Sequence, residues 1–342
     1  MRILELRKKN LRKFLKKISS NGEVWAPVKK ENMYIYQKIE NFNDIDIEPR
    51  RTIIPPKKFM VPPKFTMFKY NKEGYEEDLK DIPNRILFGL HSCDIHGLLI
   101  LDKLFYDNYQ DPYYIKRRKK TAILGLSCVP DEYCFCNETR TDIVEEGFDL
   151  FFTYLGDYFL VWVGSSLGDD MVRTAEELFN ENFPVERIKE FIRWKKWRDE
   201  QFSSDIDLTA MPDIFELRLN SNIWDNIGER CLACGSCTMV CPTCNCYRVL
   251  DKVKLDKLEG TRDREWDACT LYEYSLVAGG QNFRATRADR LKLWYTHKLQ
   301  AFIGAFGDPS CVGCGRCLVT CPVDINIYTV SKTLSGEGGF FK

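Results

Sequence analysis

The chain has 342 residues, 44% of them apolar and 13% aromatic, enough to fill the cores of two or three domains. Its 50 basic and 50 acidic side chains cancel, which removes the overall positive field that would attract nucleic acid or an anionic membrane surface. Fifteen cysteines would mean disulfides in a small secreted chain, but here they cluster at short spacings in a large, lysine-rich protein, and that points to metal binding.

In chain order, residues 1–22 (MRILELRKKNLRKFLKKISSNG) set Leu4, Leu11, Phe14, Leu15 and Ile18 on one helical face among lysines and arginines. The pattern predicts an amphipathic helix closed at Ser19 to Gly22, and it lacks the apolar stretch of a signal peptide. The doubled prolines within 49–66 predict an extended arm. Residues 85–90 (RILFGL) and 121–127 (TAILGLS) read as strands around an amphipathic helix at 94–105, a βαβ unit whose strands should be parallel. Residues 148–155 and 158–164 read as a hairpin about Gly156-Asp157, followed by helical stretches at 168–182 and 185–202.

Periodicity fades between Ser203 and Arg230, so the expected division is an α/β domain at 1–215 and a cluster domain at 216–342. The second contains an internal repeat, CLACGSCTMVCP at 231–242 and CVGCGRCLVTCP at 311–322, separated by helical patterns around 247–258 and 287–302. The expected fold class is therefore α+β: an N-terminal α/β domain with a βαβ unit and a hairpin, then a mostly helical two-cluster ferredoxin domain. Nowhere do about 18 apolar residues run without charge, so a soluble, cytoplasmic protein with no membrane partner is expected.

A 4Fe-4S cubane needs four converging thiolates, and C-x2-C-x2-C wraps one loop around three of its corners. In two-cluster ferredoxins the cysteine before proline ligates the other cluster. That rule predicts one site of Cys231, Cys234, Cys237 and Cys321, and a second of Cys311, Cys314, Cys317 and Cys241. Gly235 and Gly315 stand where a side chain is expected to crowd the loop. Zinc knuckles are the competing reading, but they use two-cysteine pairs and seldom end in C-x3-C-P.

Cys93 follows the first βαβ strand, and Cys128, Cys134 and Cys136 follow the second, so the loops should deliver these four thiols to one crevice for a third 4Fe-4S cluster. Zinc or plain burial would use the same residues. Asp94 is expected as a helix N-cap, and His91 and His96 flank the same loop. Cys244, Cys246 and Cys269 remain as an additional metal site or as buried neighbours of the main clusters. Arg262, Arg264, Arg284, Arg287 and Arg290 read as solvated helix faces, or as charges that raise cluster potentials. No nucleotide-binding glycine motif and no acid–base motif is present, so the chain reads as an electron carrier without a catalytic site, binding no flavin or nucleotide of its own.

The segments LFGLHSCDIHGLLILD, SCVPDEYCFCN, TDIVEEGFDLFF, CLACGSCTMVCPTCNCY, WDACTLYEYSLVAGGQNFR and CVGCGRCLVTCP, in this order, resemble the beta subunits of archaeal cytosolic NADP-linked NiFe sulfhydrogenases. The likeness runs from about Ile53 to Pro322, and the anaerobic sulfite reductases share the layout in one of their chains. The resemblance implies a hetero-oligomeric oxidoreductase in which a flavoprotein (FAD) exchanges electrons with NAD(P)H and a NiFe hydrogenase pair of small and large subunits handles hydrogen or polysulfide. The beta chain then relays electrons between them, and its implied cluster ligands are the twelve cysteines already assigned.

Overall fold

A computed structural model describes residues 2–337 apart from 78, 80, 255 and 257. The chain forms two compact units: one of residues 1–56, 81–134 and 141–203, the other of residues 57–80, 135–140 and 204–342. The strands, in chain order, are β1 (Arg2–Arg7), β2 (Glu23–Lys30), β3 (Met33–Lys38), β4 (Lys64–Asn71), β5 (Gly74–Glu77), β6 (Arg85–Leu90), β7 (Thr121–Leu126), β8 (Leu150–Tyr154), β9 (Tyr158–Val163), β10 (Phe179–Asn180), β11 (Tyr247–Lys254) and β12 (Glu259–Trp266).

The first unit is built on an eight-stranded sheet of order β10-β1-β9-β8-β7-β6-β2-β3. Its centre, β2-β6-β7-β8, is parallel, and β6 and β7 are buried along nearly their whole length, as strands covered on both faces must be. The expected βαβ unit is present, its crossover carried by the helices Ser92–Asp102 and Pro112–Lys119. The hairpin also forms, with Phe152 opposite Val161 across β8 and β9. Phe14, Phe88, Phe152 and Phe159 meet in the core, several of them edge to face.

Three expectations in this unit change. Leu4 lies in β1, not in the first helix, because Leu4 and Leu6 alternate into the core and β1 pairs with β9 along its full length; the helix itself is Leu11–Ile18. The stretch read as helical from 168 to 182 stops at Arg173, and Phe179–Asn180 pairs with the edge of β1. Asp94 is in the first turn of its helix; His91 occupies the N-cap position.

In the second unit, the helices Met211–Leu217, Ile223–Arg230, Arg287–Thr296 and Ile327–Ser335 pack Phe215, Trp224, Leu291, Trp294, Tyr295, Ile327 and Val330 around the two cysteine runs. Beside them lies an antiparallel sheet of order β11-β12-β4-β5. The helical pattern expected at 247–258 is β11 instead, with 255 and 257 outside the described residues. Its charges face partners across the ladder: Arg262 makes two hydrogen bonds to Asp251, and Lys252 donates to Asp263 at 2.5 Å. The arm at 49–66 is likewise broken by one helical turn, Lys57–Met60, which buries Lys57, Phe59 and Met60. Among the described residues no helix is long and apolar enough to cross a membrane.

Candidate iron-sulfur centres

The two cysteine runs have the same backbone. Cys231 ends the helix Ile223–Arg230; Ala233 (φ 51°) and Gly235 (φ 74°) then turn through the left-handed region, and Gly235 opens the short helix Ser236–Met239. Gly313 (φ 58°) and Gly315 (φ 71°) repeat these dihedrals and open the helix Arg316–Thr320. The loop thereby aims amides inward: the Ala233 N–H donates to the Cys231 sulfur at 3.3 Å, and the Ile325 N–H to the Cys321 sulfur at 3.1 Å. Gly235 is required by its dihedral and not by crowding, since an added Cβ would come no nearer than 3.4 Å to Leu271. Crowding acts at Gly313, where a Cβ would stand 2.4 Å from the Phe135 carbonyl oxygen and 2.5 Å from the Cys136 backbone.

Among the described residues no cysteine is in a disulfide, and those of the runs converge crosswise. Cys231 senses the charge of Cys321 and Cys234, and Cys237 that of Cys231, Cys321, Cys241 and Cys234. Cys241 joins the other group: with Cys311, Cys314 and Cys317 it lines one small cavity, closed by Phe135, Trp294, Lys298 and Arg316. Burial pushes Cys237 and Cys311 up to about 12, so these thiols keep their protons until a metal replaces them. Cys234 alone among the cysteines is exposed, and a hydrogen bond to the Ser236 hydroxyl pulls its thiol down.

Two buried donors near these thiols have no partner among the described residues, the Trp294 indole N–H and the Tyr295 hydroxyl. Trp294 lines the cavity, and Tyr295 is fully buried where Cys237, Cys317, Cys321 and Cys231 all act on it. Orphaned donors are costly in a dry core, and sulfur acceptors of a cubane would satisfy them. Soft thiolate donors, inward amides and unused hydrogen-bond donors together fit one 4Fe-4S cluster in each crossed set. Replacing Tyr295 by Phe is expected to lower a cluster potential by roughly 40 mV, the worth of about one hydrogen bond, with iron and sulfide content unchanged in a redox titration.

Two ammonium groups are buried against the second set. The Lys57 Nζ donates to the Thr238 and Cys244 carbonyls at 3.4 and 3.0 Å and lies 4.3 Å from the Trp266 ring centre; the Lys298 Nζ donates to the Thr243 hydroxyl at 2.9 Å. Burial alone would deprotonate Lys298, but the sulfurs of Cys241, Cys244 and Cys311 outweigh it and hold its pKa above the usual lysine value. The same charges act on Cys241: burial pushes its thiol up, while a hydrogen bond from Cys244 and both lysines pull it down on balance. Lys298→Met is expected to make the second cluster harder to reduce by on the order of 100 mV, read by potentiometric titration.

The match to known proteins follows this geometry. Residues 230–325 fit the family model described as a 4Fe-4S dicluster domain. Sulfhydrogenase 2 subunit beta of Pyrococcus furiosus is 39% identical over 329 residues, spanning 95% of this chain and 96% of the relative. The chain belongs to the sulfhydrogenase beta-subunit family. No solved structure matches it.

For this family member, the first unit presents a further set of thiols. Cys93 stands in the first turn of the helix after β6, just past a bulge at Gly89 (φ 83°), and Cys128 lies just beyond the parallel neighbour β7. Cys134 acts on Cys128, which burial pushes up to about 12. The Arg51 guanidinium donates to the Cys134 sulfur at 3.1 Å and pairs with Asp131. His96 hydrogen-bonds the Ile143 carbonyl at 2.7 Å. Cys136 belongs to the second unit, where its backbone abuts Gly313.

Burial would push the Asp131 carboxyl up, but Arg51 more than offsets this and its pKa is lowered. A lowered carboxylate pKa contributes stability above the ordinary carboxylate range and loses it as pH falls through the folded value. Arg51→Met is therefore expected to raise the pH at which acid unfolding begins, seen by circular dichroism below about pH 5.

Sequence reasoning missed Lys57, Lys298, Tyr295, Trp294 and Arg51 as parts of these sites. Lys298 had a usable signal, because it continues the apolar series Leu291, Trp294 and Tyr295 at helical spacing; a π-helical turn at His297–Ala301 carries it inward. The arginines read as solvated helix faces divide differently. Arg264, on β12, is buried with its guanidinium 3.5 Å from the Tyr247 ring centre, and Arg290 is buried and donates to the carbonyls of Thr270, Arg284 and Ala285.

Proposed function

We propose that this chain is the electron-relaying subunit of a cytoplasmic sulfhydrogenase complex, passing electrons between a flavoprotein that exchanges them with NADP(H) and a NiFe hydrogenase pair. The observation that carries this reading is the crossed convergence of two cysteine quartets inside one hydrophobic core. Cys231, Cys234, Cys237 and Cys321 would hold one 4Fe-4S cluster, and Cys311, Cys314, Cys317 and Cys241 the second. Each cluster, when bound, stores one electron.

The protein's own contribution is positional and electrostatic. Crossed ligation ties the two centres into one rigid body, so transfer between them needs no movement of the chain. Lys57 and Lys298 favour added negative charge at the second set, while the exposed Cys234 and Leu232 put the first set within reach of a partner. The first centre would then exchange electrons with a partner, and the second would hold an added electron more readily. For the third cluster expected at Cys93, Cys128, Cys134 and Cys136, the support lies within the first unit: Cys93 and Cys128 follow neighbouring parallel strands, and the Arg51 cation stands at Cys134.

Anaerobic purification from the native source, with subunit identification and metal counting, tests the reading. Two clusters require about eight iron and eight acid-labile sulfide per chain, and three require about twelve of each. A nickel-binding and a flavin-binding subunit should co-purify. Zinc at about four thiolates per atom, without sulfide, would overturn the assignment.

A further inference from the structure

Cys244, Cys246 and Cys269 stand outside the twelve cysteines assigned to clusters. All three belong to the second unit, and two of them are held together by the sheet. The ladder between β11 and β12 pairs Tyr247 with Trp266 and then extends one step, the Asp267 N–H donating to the Cys246 carbonyl at 3.1 Å. Past that step the chain turns, so that the Cys269 thiol and its backbone N–H both donate to the Cys246 sulfur and the Tyr274 hydroxyl donates a third time. Cys269 is buried and Cys246 partly so, in a core shared with cluster cysteines Cys237 and Cys317.

We propose that Cys246 and Cys269 form a redox-active dithiol–disulfide pair, a two-electron store beside the one-electron clusters. The sulfurs are already in hydrogen-bond contact on two backbones tied by a ladder bond, so closing the S–S bond needs only a small local shift. Three donors and the Lys298 charge favour the thiolate of Cys246, whose pKa falls to about 6 in the first place through Cys269. The thiolate is the form that makes and breaks S–S bonds. Cys244 takes no part, because its thiol is engaged as the donor to Cys241.

The chemistry balances within the protein. On oxidation near neutral pH the Cys246 thiolate and the Cys269 thiol release one proton to water, form one S–S bond, and give up two electrons singly to the one-electron iron-sulfur carriers of this domain. Reduction returns two electrons and one proton and breaks the bond. The pair would let a one-electron wire exchange whole two-electron packets. This inference rests on the iron-sulfur reading, and thiol mapping tests it separately from the iron and sulfide count.

The experiment poises the intact holoprotein at a series of potentials, quenches it in an alkylating reagent under denaturing conditions, and maps Cys246 and Cys269 by peptide mass spectrometry. The expected result is a disulfide between them at high potential, replaced by two alkylated cysteines at low potential in a single transition of about two electrons. Cys246→Ser and Cys269→Ser should each abolish that transition and leave iron and sulfide unchanged. The proposal is overturned if both cysteines alkylate at every potential, or if either variant loses about four iron atoms, the mark of a cluster ligand. The wild-type map needs no variant to fold.

Discussion

Replacing Cys241 by Ala is expected to remove the cluster of the other run. Iron and sulfide should fall by about four atoms each per chain, while the electron paramagnetic signal of the first centre persists. The expectation follows from the cavity, which gathers Cys241 with Cys311, Cys314 and Cys317 although Cys241 belongs to the first run by sequence. Cys321→Ala should do the reverse, because Cys321 acts on Cys231 and Cys237. Were each run to hold its own cluster, Cys241→Ala would erase the first signal instead, and the crossed assignment would be wrong. The variant also strands Lys298 without part of the sulfur charge that outweighs its burial, so a drop in thermal stability should accompany the loss.

Gly313→Ala is expected to cost more than most single substitutions, about 3 kcal/mol or above, and to lower the yield of cluster-loaded protein. Two penalties add at this position. The backbone is left-handed, which an alanine tolerates poorly, and the new methyl would collide with backbone atoms of Phe135 and Cys136 that no rotamer change can move. The Phe135 N–H also donates to the Gly313 carbonyl at 2.9 Å, so the collision would strain that link. Ala233, the equivalent residue in the first run, already carries a methyl at φ 51°. Ala233→Gly should therefore be mild, and chemical denaturation of the two variants would separate steric collision from dihedral strain.

The contrast between these two positions shows what could be read from sequence. The repeated cysteine spacing announces two cubanes, and RILFGL and TAILGLS announce buried parallel strands, because spacing and periodicity are local properties. Convergence is not local. Nothing near Gly313 in the sequence says that residues 135 and 136 will pass within 2.5 Å of where a Cβ would stand, and nothing near Lys57 says that it will face Cys244.

The misread segments have equally specific causes. Residues 247–258 hold as many charges as apolar groups, so helical and strand periods fit them about equally; the cross-strand partners of β12 decide the matter, and they lie further along the chain. At the N-terminus, Leu4 sits seven residues before Leu11, a spacing compatible with one helix, yet β9 offers β1 a full ladder and tertiary pairing wins. Lys298 was legible in principle. A lysine in the middle of an apolar helical stripe is either an error of pattern or a buried charge with a partner, and here sulfur is the partner.

The exchange of one cysteine between the two runs bears on how the protein matures. On the crossed assignment each quartet borrows a corner from the far run, so the second cannot be completed before Cys317, nor the first before Cys321, has been synthesised. Iron delivery to a nascent chain would find only three-cornered nests, open to loss and to oxidation. Biogenesis is thereby timed: the cell must keep the emerging polypeptide reduced and uncommitted until these last cysteines arrive, and a premature stop before Cys317 deprives both centres at once.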